Sequence, residues 1–408
     1  MLLGIERINY YTPRFSMDAL ELAGARGQDV EATRRQVMVE ERSVLPPFED
    51  SVTMAVNAAK RMLGPDDAKD IELLVVGSES EVDFSKPIAT WVHRYCGLPA
   101  NCRSFDTKHA CYSGTAAFKT AASWIAARLR PGKKALVINT DLSRTHGTRT
   151  GLDYLGGACA VAMLVSEVSE VLAFDPARAG YWTQEIYDTY RPTAREEMAE
   201  VQLSLYSYLD ALDGSYDHFV QVSGEVDFVN RFKRQIYHSP FPGMTLEAHK
   251  ALLNRAGIYG KKDIRESFDR KVAQGLCLGK RIGTVYGGSN FLSLMSLLHS
   301  ATDLEPGDRI SLFAYGSGCQ GEFYEGQVGT GAPGNVKALQ LDRHLDEREA
   351  LALEDYERFE TMRESLIECR DYVPQTDLVE GSYERLYEGR GLLVLKNVKN
   401  FLRAYGWS

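Results

Sequence analysis

Residues 109–117, HACYSGTAA, place a cysteine immediately before a run of small residues. The sequence before this stretch is strand-like, and an apolar helix follows it as far as Ala127. A helix N-terminus stabilises a thiolate, and its backbone N–H groups can receive an oxyanion. Cys111 is therefore a candidate nucleophile, although a buried structural cysteine explains the stretch, taken alone, equally well.

The same arrangement recurs later in the chain. From Cys111 the sequence passes through a turn and an apolar helix to Pro-Gly at 131–132 and then a β-run. From Tyr286 it passes through the same elements to Pro-Gly at 306–307 and a second β-run. Tyr286 lies 175 positions after Cys111, and the second Pro-Gly pair lies 175 positions after the first. A period of this length is far too long for a solenoid repeat. The pattern predicts two halves of a duplicated α/β architecture, of which one carries the cysteine.

Composition narrows the class of protein. The chain has 408 residues, enough for one large core or for two or three domains. Its 44% hydrophobic and 25% charged residues are typical of globular proteins, and the net charge of −9 argues against nucleic-acid binding. The first residues do not resemble a signal peptide, and no apolar run approaches the roughly 20 residues of a membrane span. We therefore expect no membrane association.

The seven cysteines are scattered and form no Cys-x-x-Cys pair. They predict neither a disulfide framework nor a metal site, and they fit a reducing cytoplasm. Residues 316–321 match Gly-x-Gly-x-x-Gly, but a return strand follows them instead of a helix, which argues against a dinucleotide site.

Hydrophobic periodicity predicts the main elements. Strands are expected at residues 3–9, 71–77, 159–165 and 391–395, the last followed by a basic-aromatic docking segment, and helices at 16–43, 51–63, 86–96, 199–232 and 345–370.

Two further residues are candidates for acid–base chemistry. His238 lies just before Pro240, which interrupts regular structure, and a histidine beside a reactive cysteine is a candidate acid, base or oxyanion partner. Glu79 follows an apolar strand, where burial would raise its pKa towards the range of a general base. A structural histidine and a solvated loop carboxylate are the simpler alternatives.

Four segments, in this order, resemble the signatures of 3-hydroxy-3-methylglutaryl (HMG) synthases: GSES at 77–80, ACYSGTAA at 110–117, HSPF at 238–241 and YGSG at 315–318. Shorter matches lie at 140–141 and 187–192, so the similarity covers almost the whole chain. The resemblance implies the thiolase fold, an α/β fold with duplicated halves in a five-layered αβαβα core. Residues 1–170 would form the half with the cysteine and residues 171–408 the half with the histidine, in a homodimer.

The resemblance also implies a reaction. Cys111 would take an acetyl group from a thioester, and Glu79 would remove a proton from the acetyl methyl group. The enolate would attack the β-ketone of a second acyl thioester, whose oxygen His238 would polarise and protonate, before water releases the product. A weakly acidic C–H group needs a carboxylate in a desolvated site, and the covalent intermediate holds the enolate beside its electrophile.

Further residues are supporting or substrate-binding by the same resemblance: Asp141, Asp188, Tyr286 and Ser317. No metal and no cofactor are implied, apart from the phosphopantetheine arm of carrier-bound substrates. Gly283-Thr284 departs from the Gly-Asn of many relatives, which puts the role of that asparagine in doubt. The stretch between Asp141 and Gly156 is shorter than in polyketide relatives, which allows a changed acyl pocket and a propionyl donor.

Two branches of the family differ in substrate. One makes HMG-CoA from free coenzyme A thioesters, and the other adds a β-branch to a polyketide held on acyl carrier protein. Residues 242–249 contain no lysine, and they and the tail 398–408 look like the polyketide branch. The expected reaction transfers acetyl, or propionyl, from a donor carrier protein to a chain on an acceptor carrier protein. An HMG-CoA synthase of the mevalonate pathway and an inactive scaffold that binds carrier proteins stay as alternatives.

A locally basic stretch of the chain supports the branch that acts on carrier proteins. Residues 250–281 hold nine Lys or Arg against three acidic residues. Because carrier proteins are acidic, a basic patch near the site would steer docking, whereas a solvated helix face is the simpler explanation. The proposed carrier-protein patch consists of Lys250, Arg255, Lys261, Lys262 and Arg265.

Overall fold

The computed structural model describes residues 3–143, 151–224 and 226–408. Its strands are β1 Leu3–Tyr11, β2 Phe15–Asp18, β3 Glu41–Val44, β4 Ile71–Gly77, β5 Arg103–Thr107, β6 Lys134–Leu142, β7 Ala158–Ser166, β8 Leu172–Thr183, β9 Thr189–Tyr190, β10 Met198–Ala199, β11 Arg234–Tyr237, β12 Arg309–Gly316, β13 Gln320–Val328, β14 Glu349–Ala350, β15 Leu393–Lys399 and β16 Leu402–Trp407. Its α-helices are α1 Ala19–Ala25, α2 Val30–Ala32, α3 Ser51–Met62, α4 Ile88–Cys96, α5 Ser113–Ala126, α6 Val201–Ser223, α7 Phe228–Arg231, α8 Met244–Arg255, α9 Lys261–Lys271, α10 Cys277–Ile282, α11 Ser289–Ser300, α12 Gly334–Lys337, α13 Leu341–Asp346, α14 Leu353–Ser365 and α15 Ser382–Leu386.

The central sheet shows the duplication. Its hydrogen-bonded order is β11-β12-β13-β8-β1-β7-β6-β4-β5. In the first half, β4 is parallel to β6, and β7 and β1 then follow antiparallel. In the second half, β11 is parallel to β12, and β13 and β8 then follow antiparallel. The predicted duplication is confirmed, because β6 and β12 begin 175 positions apart, at Lys134 and Arg309.

The hydrophobic core is arranged in five layers. Alternate strand residues point to opposite faces, so each half of the sheet contributes to two clusters. One cluster contains α5 and α11 between the two halves of the sheet. A second joins α3 and α4 to the outer face of β4, β6 and β7, and a third joins α6, α8 and α9 to β11, β12 and β13. The layers follow the order αβαβα of the predicted thiolase fold.

Close contacts between the two central helices depend on glycine. A Cβ atom on Gly114, at the start of α5, would lie 2.5 Å from the Gly287 carbonyl oxygen and 2.2 Å from Asn139 Nδ2. One on Gly77, at the end of β4, would lie 2.6 Å from the Ser113 carbonyl oxygen. These glycines let the beginning of α5 approach both β4 and the residues just before α11.

Several predicted elements are confirmed. The strand predicted at 71–77 is β4, with the same bounds. The strands predicted at 3–9, 159–165 and 391–395 and the helices predicted at 51–63, 86–96 and 199–232 are present with shifted ends. A return strand, β13, follows the glycine turn at 316–321, as expected. None of the described helices has both the length and the apolarity that crossing a bilayer requires.

Three predicted elements are wrong. Residues 16–43 do not form one helix, because the buried β2 pairs antiparallel with β3 and only short helices lie between them. The helix predicted at 345–370 is confined to α14. The tail after 395 is not a separate docking segment, because β16 pairs with β15 in a hairpin. In each case pairing across the chain overrides the local pattern. The half boundary at residue 170 stays a prediction.

Candidate active site

Cys111 lies in a sharp turn between β5 and α5. The preceding Ala110 has a φ of 40°, a left-handed conformation that is unusual for a residue with a side chain. The helix begins two residues after the cysteine, at Ser113. The Tyr112 and Ser113 N–H groups already donate to the His109 and Ala110 carbonyls. The first N–H groups after the cysteine are therefore engaged within the turn.

The surroundings of Cys111 favour the neutral thiol over the thiolate. Burial, with the negative charges of Glu79 and Asp141, raises its pKa well above the usual value. These effects oppose the formation of a thiolate, and its stabilisation by the helix N-terminus stays a prediction. The Cys111 Sγ atom instead donates to Glu79 Oε1 at 3.6 Å, so a base stands ready to take its proton.

Glu79 follows β4 and faces the cysteine. Burial raises the pKa of its carboxyl to about 7, although the nearby Arg191 guanidinium acts in the opposite direction. Arg191 Nη1 donates to the Glu79 carbonyl oxygen at 2.7 Å, and Arg191 Nη2 lies 3.8 Å from Glu79 Oε2. The carboxyl is thus poised to gain and lose a proton near neutral pH.

Asp141, at the end of β6, positions Glu79 from behind. Its Oδ1 atom accepts from the Glu79 backbone N–H at 2.9 Å and from the hydroxyls of Ser80 at 2.9 Å and Ser78 at 3.2 Å. Burial and the Glu79 charge raise the pKa of the Asp141 carboxyl well above its usual value. Asp141 therefore fixes the backbone that carries the base.

His238 follows β11, the second-half counterpart of β4. Its Nδ1 atom is 2.8 Å from Ser289 Oγ, and its backbone N–H donates to the Phe313 carbonyl at 2.7 Å. Burial lowers the pKa of the imidazole to about 3, so the ring is neutral. A Ser289 hydroxyl that donates to Nδ1 leaves the hydrogen on Nε2, which can polarise a carbonyl oxygen.

One cavity of about 720 Å³ brings the three candidate residues together. Its lining includes Glu79, Cys111 and His238, and also Tyr286 and Ser317. The volume is typical of a small-molecule site. Residues from both halves thus converge on one chamber, as the sequence predicts.

Asp188 does not line this cavity but supports its wall. Its Oδ2 atom accepts from the Tyr315 hydroxyl at 2.6 Å, and Oδ1 accepts from the Gly318 N–H at 2.9 Å. These bonds hold the 315–318 turn, which carries Ser317 into the cavity. Asp188 is a positioning residue in this structure.

Sequence reasoning missed Arg191, Glu197 and Ser289. Arg191 Nη2 lies 2.6 Å from Glu197 Oε2, and the Tyr286 hydroxyl is 3.4 Å from the same oxygen. A signal existed for Arg191, because it belongs to the family-like stretch 187–192. Ser289 follows the glycine turn that echoes the cysteine turn, but its partner His238 is 51 positions away.

The predicted carrier-protein patch is largely paired with acidic residues. Arg255 contacts Asp213 and Asp217. Lys250, Lys262 and Arg265 each lie near an acidic residue of their own helix, and Lys261 is exposed at the start of α9. The patch as a docking surface stays a prediction.

Thr284, which stands where many relatives have asparagine, is part of the cavity wall. Thr284 lines the cavity, and its backbone N–H donates to the Leu155 carbonyl at 2.8 Å. Its hydroxyl donates to the Pro240 carbonyl, so it ties two parts of the wall together. Residues 144–150 of the short stretch lie outside the described residues.

Comparisons with known proteins agree with this geometry. Residues 2–169 match the family described as hydroxymethylglutaryl-coenzyme A synthase N terminal, and residues 244–407 match its C-terminal counterpart. The polyketide biosynthesis 3-hydroxy-3-methylglutaryl-ACP synthase PksG of Bacillus subtilis is 35% identical over 417 aligned positions, covering 99% of each chain.

Solved structures show the same similarity. The curacin biosynthetic pathway HMG synthase in complex with holo donor-ACP has a TM-score of 0.95 and 35% identity, covering 100% of both chains. MvaS in complex with 3-hydroxy-3-methylglutaryl coenzyme A has a TM-score of 0.87 and 33% identity, covering 100% of this chain and 99% of that chain. Two matched family segments, a full-length relative and the shared fold together show that the chain belongs to the hydroxymethylglutaryl-CoA synthase family.

Proposed function

We propose that this protein starts β-branches in polyketide biosynthesis. It adds the enolate of an acetyl or propionyl group, delivered by a donor acyl carrier protein, to the β-ketone of a chain on an acceptor carrier protein. The observation that carries the proposal is the 3.6 Å contact between Cys111 Sγ and Glu79 Oε1 in the cavity that His238 also lines.

The carrier-protein branch of the family is supported by backbone similarity. Sequence identity is nearly the same for the curacin enzyme and for MvaS, at 35% and 33%. The TM-scores of 0.95 and 0.87 differ more, so the backbone follows the polyketide enzyme more closely. This favours carrier-bound over coenzyme A substrates.

The first half-reaction acylates Cys111. Glu79 accepts the thiol proton as sulfur attacks the thioester carbonyl, and the carrier thiolate leaves and takes up that proton. Proton transfer to a base is needed here because the pKa of the Cys111 thiol is raised. The carboxylate form of Glu79 is restored for the next step.

The second half-reaction forms the carbon–carbon bond. Glu79 removes a proton from the acyl α-carbon, and the enolate carbon attacks the β-carbonyl carbon of the acceptor. The neutral His238 donates a hydrogen bond from Nε2 to the developing alkoxide, which takes up the proton from Glu79. Since the pKa of His238 is lowered to about 3, this role is polarisation more than proton transfer. Water then hydrolyses the thioester to Cys111.

Other properties are part of the same proposal. All seven cysteines are free thiols, which supports a cytoplasmic location. We expect a homodimer that needs no metal and no cofactor besides the phosphopantetheine arm of its substrates.

Mass spectrometry of the intact enzyme tests the proposal. The probes are the curacin donor carrier protein charged with acetyl-phosphopantetheine and, separately, acetyl-CoA. Acetylation of Cys111 at least ten times faster from the carrier protein supports it. Equal or faster acetylation from acetyl-CoA would favour an HMG-CoA synthase, and absence of acetylation from both would favour a scaffold. The control is Cys111→Ser, in which a hydroxyl of similar size replaces the thiol; this variant should stay unmodified.

A further inference from the structure

A second cavity adjoins the candidate active site and is used by none of the steps above. Its volume is about 460 Å³, and it shares Glu81, Phe84 and Ala194 with the active-site cavity. We call it the acyl groove. It lies between the loops that precede α3 and α4, the end of α14 and the C-terminal hairpin of β15 and β16, and its lining comprises Leu45, Pro46, Pro47, Glu49, Asp50, Glu81, Val82, Asp83, Phe84, Ser85, Leu142, Ala194, Arg363, Leu366, Ile367, Glu368, Cys369, Tyr372, Leu395, Val398, Phe401 and Arg403.

The walls of the acyl groove are largely apolar. Leu45, Leu142 and Val398 form buried parts of the wall, and Ile367 is half-buried beside them. Phe84, at the boundary with the active-site cavity, is 86% exposed. A large exposed aromatic side chain over an apolar groove is typical of a surface that binds an apolar ligand.

The two arginines that line the groove are each paired with an acidic residue. Arg403 Nη1 lies 3.1 Å from Asp50 Oδ2, and the Tyr405 hydroxyl donates to the same oxygen at 2.8 Å. Arg363 Nη2 contacts Glu360 Oε2 at 2.5 Å. The other charged residues of the lining are all acidic: Glu49, Glu81, Asp83 and Glu368. The groove therefore has no unpaired cation among its lining residues that would attract a phosphate, and it suits an uncharged ligand better.

The proposed reaction supplies such a ligand. The β-carbon of the acceptor chain must lie between the acylated Cys111 and His238, and the rest of the polyketide chain extends beyond that carbon. A cavity of about 720 Å³ is the size of a site for one small molecule, and in the proposed reaction the phosphopantetheine arm would take up part of it. A chain longer than acetoacetyl therefore needs a second space that is continuous with the first.

We propose that the acyl groove binds the part of the acceptor chain beyond its β-carbon, as an extended, uncharged acyl chain. This inference rests on the proposed function. It makes the groove a determinant of chain length, which a synthase acting on acetoacetyl thioesters does not need.

Substitutions at Ile367 test the proposal, because this residue lines the groove and not the active-site cavity. Ile367→Trp fills the groove, and Ile367→Ala leaves it open as the matched control. Each variant is compared with the wild type using 3-oxobutanoyl and 3-oxodecanoyl groups on the same acceptor carrier protein. Val168→Trp, an exposed position beyond the end of β7 that lies away from the site, controls for a surface tryptophan.

We expect Ile367→Trp to lower kcat/KM for the 3-oxodecanoyl acceptor at least tenfold and to leave the 3-oxobutanoyl acceptor within twofold of the wild type. Ile367→Ala and Val168→Trp should leave both within about threefold. Equal loss for both acceptors, or no loss for either, overturns the groove proposal. Turnover of the 3-oxobutanoyl acceptor by every variant shows that the proposed condensation survives such a result, whereas its absence in the wild type overturns that function itself.

Discussion

Opposing effects hold the pKa of the Glu79 carboxyl near neutral pH. Desolvation raises its pKa, as does the charge of Glu197, while the Arg191 guanidinium lowers it. The result, about 7, is close to the value that suits a base operating at neutral pH. The positive charge of Arg191 therefore lowers the pKa of the carboxyl that accepts from Cys111.

Replacing Arg191 should shift the pH dependence of Cys111 acetylation. The rate rises with pH as Glu79 ionises, because only the carboxylate accepts the thiol proton. Arg191→Met removes a positive charge, raises the pKa of Glu79, and should move the rise upward from about pH 7 by roughly one unit or more. Single-turnover acetylation followed by mass spectrometry from pH 5 to pH 9 measures it.

Arg191→Lys keeps the positive charge and is the control. Its rise should stay within about half a pH unit of the wild type, since charge is the main cause of the effect. A rise that is unchanged in Arg191→Met, or one that moves to lower pH, would contradict the assigned influence of the guanidinium.

The beginning of α5 shows how element packing positions the nucleophile. Gly114 lies three residues after Cys111 and faces the backbone of Gly287, just before α11. Any side chain here would separate the two central helices, which meet between the halves of the sheet. The turn that carries Cys111 and the turn before Ser289 would then move apart.

Gly114→Ala should therefore destabilise the protein. Its Cβ atom would meet the Gly287 carbonyl oxygen at 2.5 Å, and backbone cannot withdraw as a flexible side chain can. Overpacking of this kind costs about 1–3 kcal/mol of the free energy of unfolding. Urea unfolding measures the loss.

Gly279→Ala is the matched control, because Gly279 lies in helix α10 and its added Cβ would meet no atom within 4 Å. Helix propensity alone should make this variant more stable by up to about 1 kcal/mol. Equal changes in the two variants would show that the contact with Gly287 carries no weight.

Local hydrophobic periodicity correctly predicts those elements whose apolar residues are buried in the way the pattern implies. The strands near residues 3–9 and 71–77 are found because their apolar runs are buried in the sheet. The helix predicted over 16–43 fails because Phe15 and Met17 are buried in β2, whose partner β3 lies beyond the intervening short helices. The pattern of apolar residues within one segment does not show which distant strand that segment pairs with.

The candidate site divides in the same way. Glu79, Cys111 and His238 are found because each follows a strand or precedes a helix and belongs to a recognisable short motif. Arg191 and Ser289 act through contacts that span 112 and 51 positions of the chain. Their roles become visible only when the fold brings the partners together.

At the scale of the whole molecule, one buried carboxyl joins distant parts of the chain. Glu49 accepts from the Tyr11 hydroxyl, at the end of β1, at 2.7 Å. It also accepts from the Tyr387 hydroxyl, just after α15, at 2.8 Å. Glu49 also lines the acyl groove, and its carboxyl ties the C-terminal region to the first strand of the sheet.

Glu49 should make the stability of the fold depend on pH. Burial raises its pKa from 4.5 to about 7, so the folded protein binds this proton more tightly than the unfolded chain. The contribution is fully present below about pH 4.5 and is lost as the pH rises towards 7. Glu49→Gln keeps a polar group between the tyrosines but removes the titration. Relative to the wild type, its free energy of unfolding should therefore increase by about 2–3 kcal/mol between pH 5 and pH 8.

Urea unfolding at each pH measures this difference, and Glu384→Gln, which changes an exposed glutamate in α15, is the control that should follow the wild type within about 0.5 kcal/mol. Other titrating groups affect wild type and variant alike, so the difference between the two isolates Glu49. A difference that stays constant from pH 5 to pH 8 would mean that the carboxyl has the same proton affinity in the folded and unfolded chain. A difference that grows with pH would identify Glu49 as the group that makes the anchoring of the C-terminal region sensitive to pH.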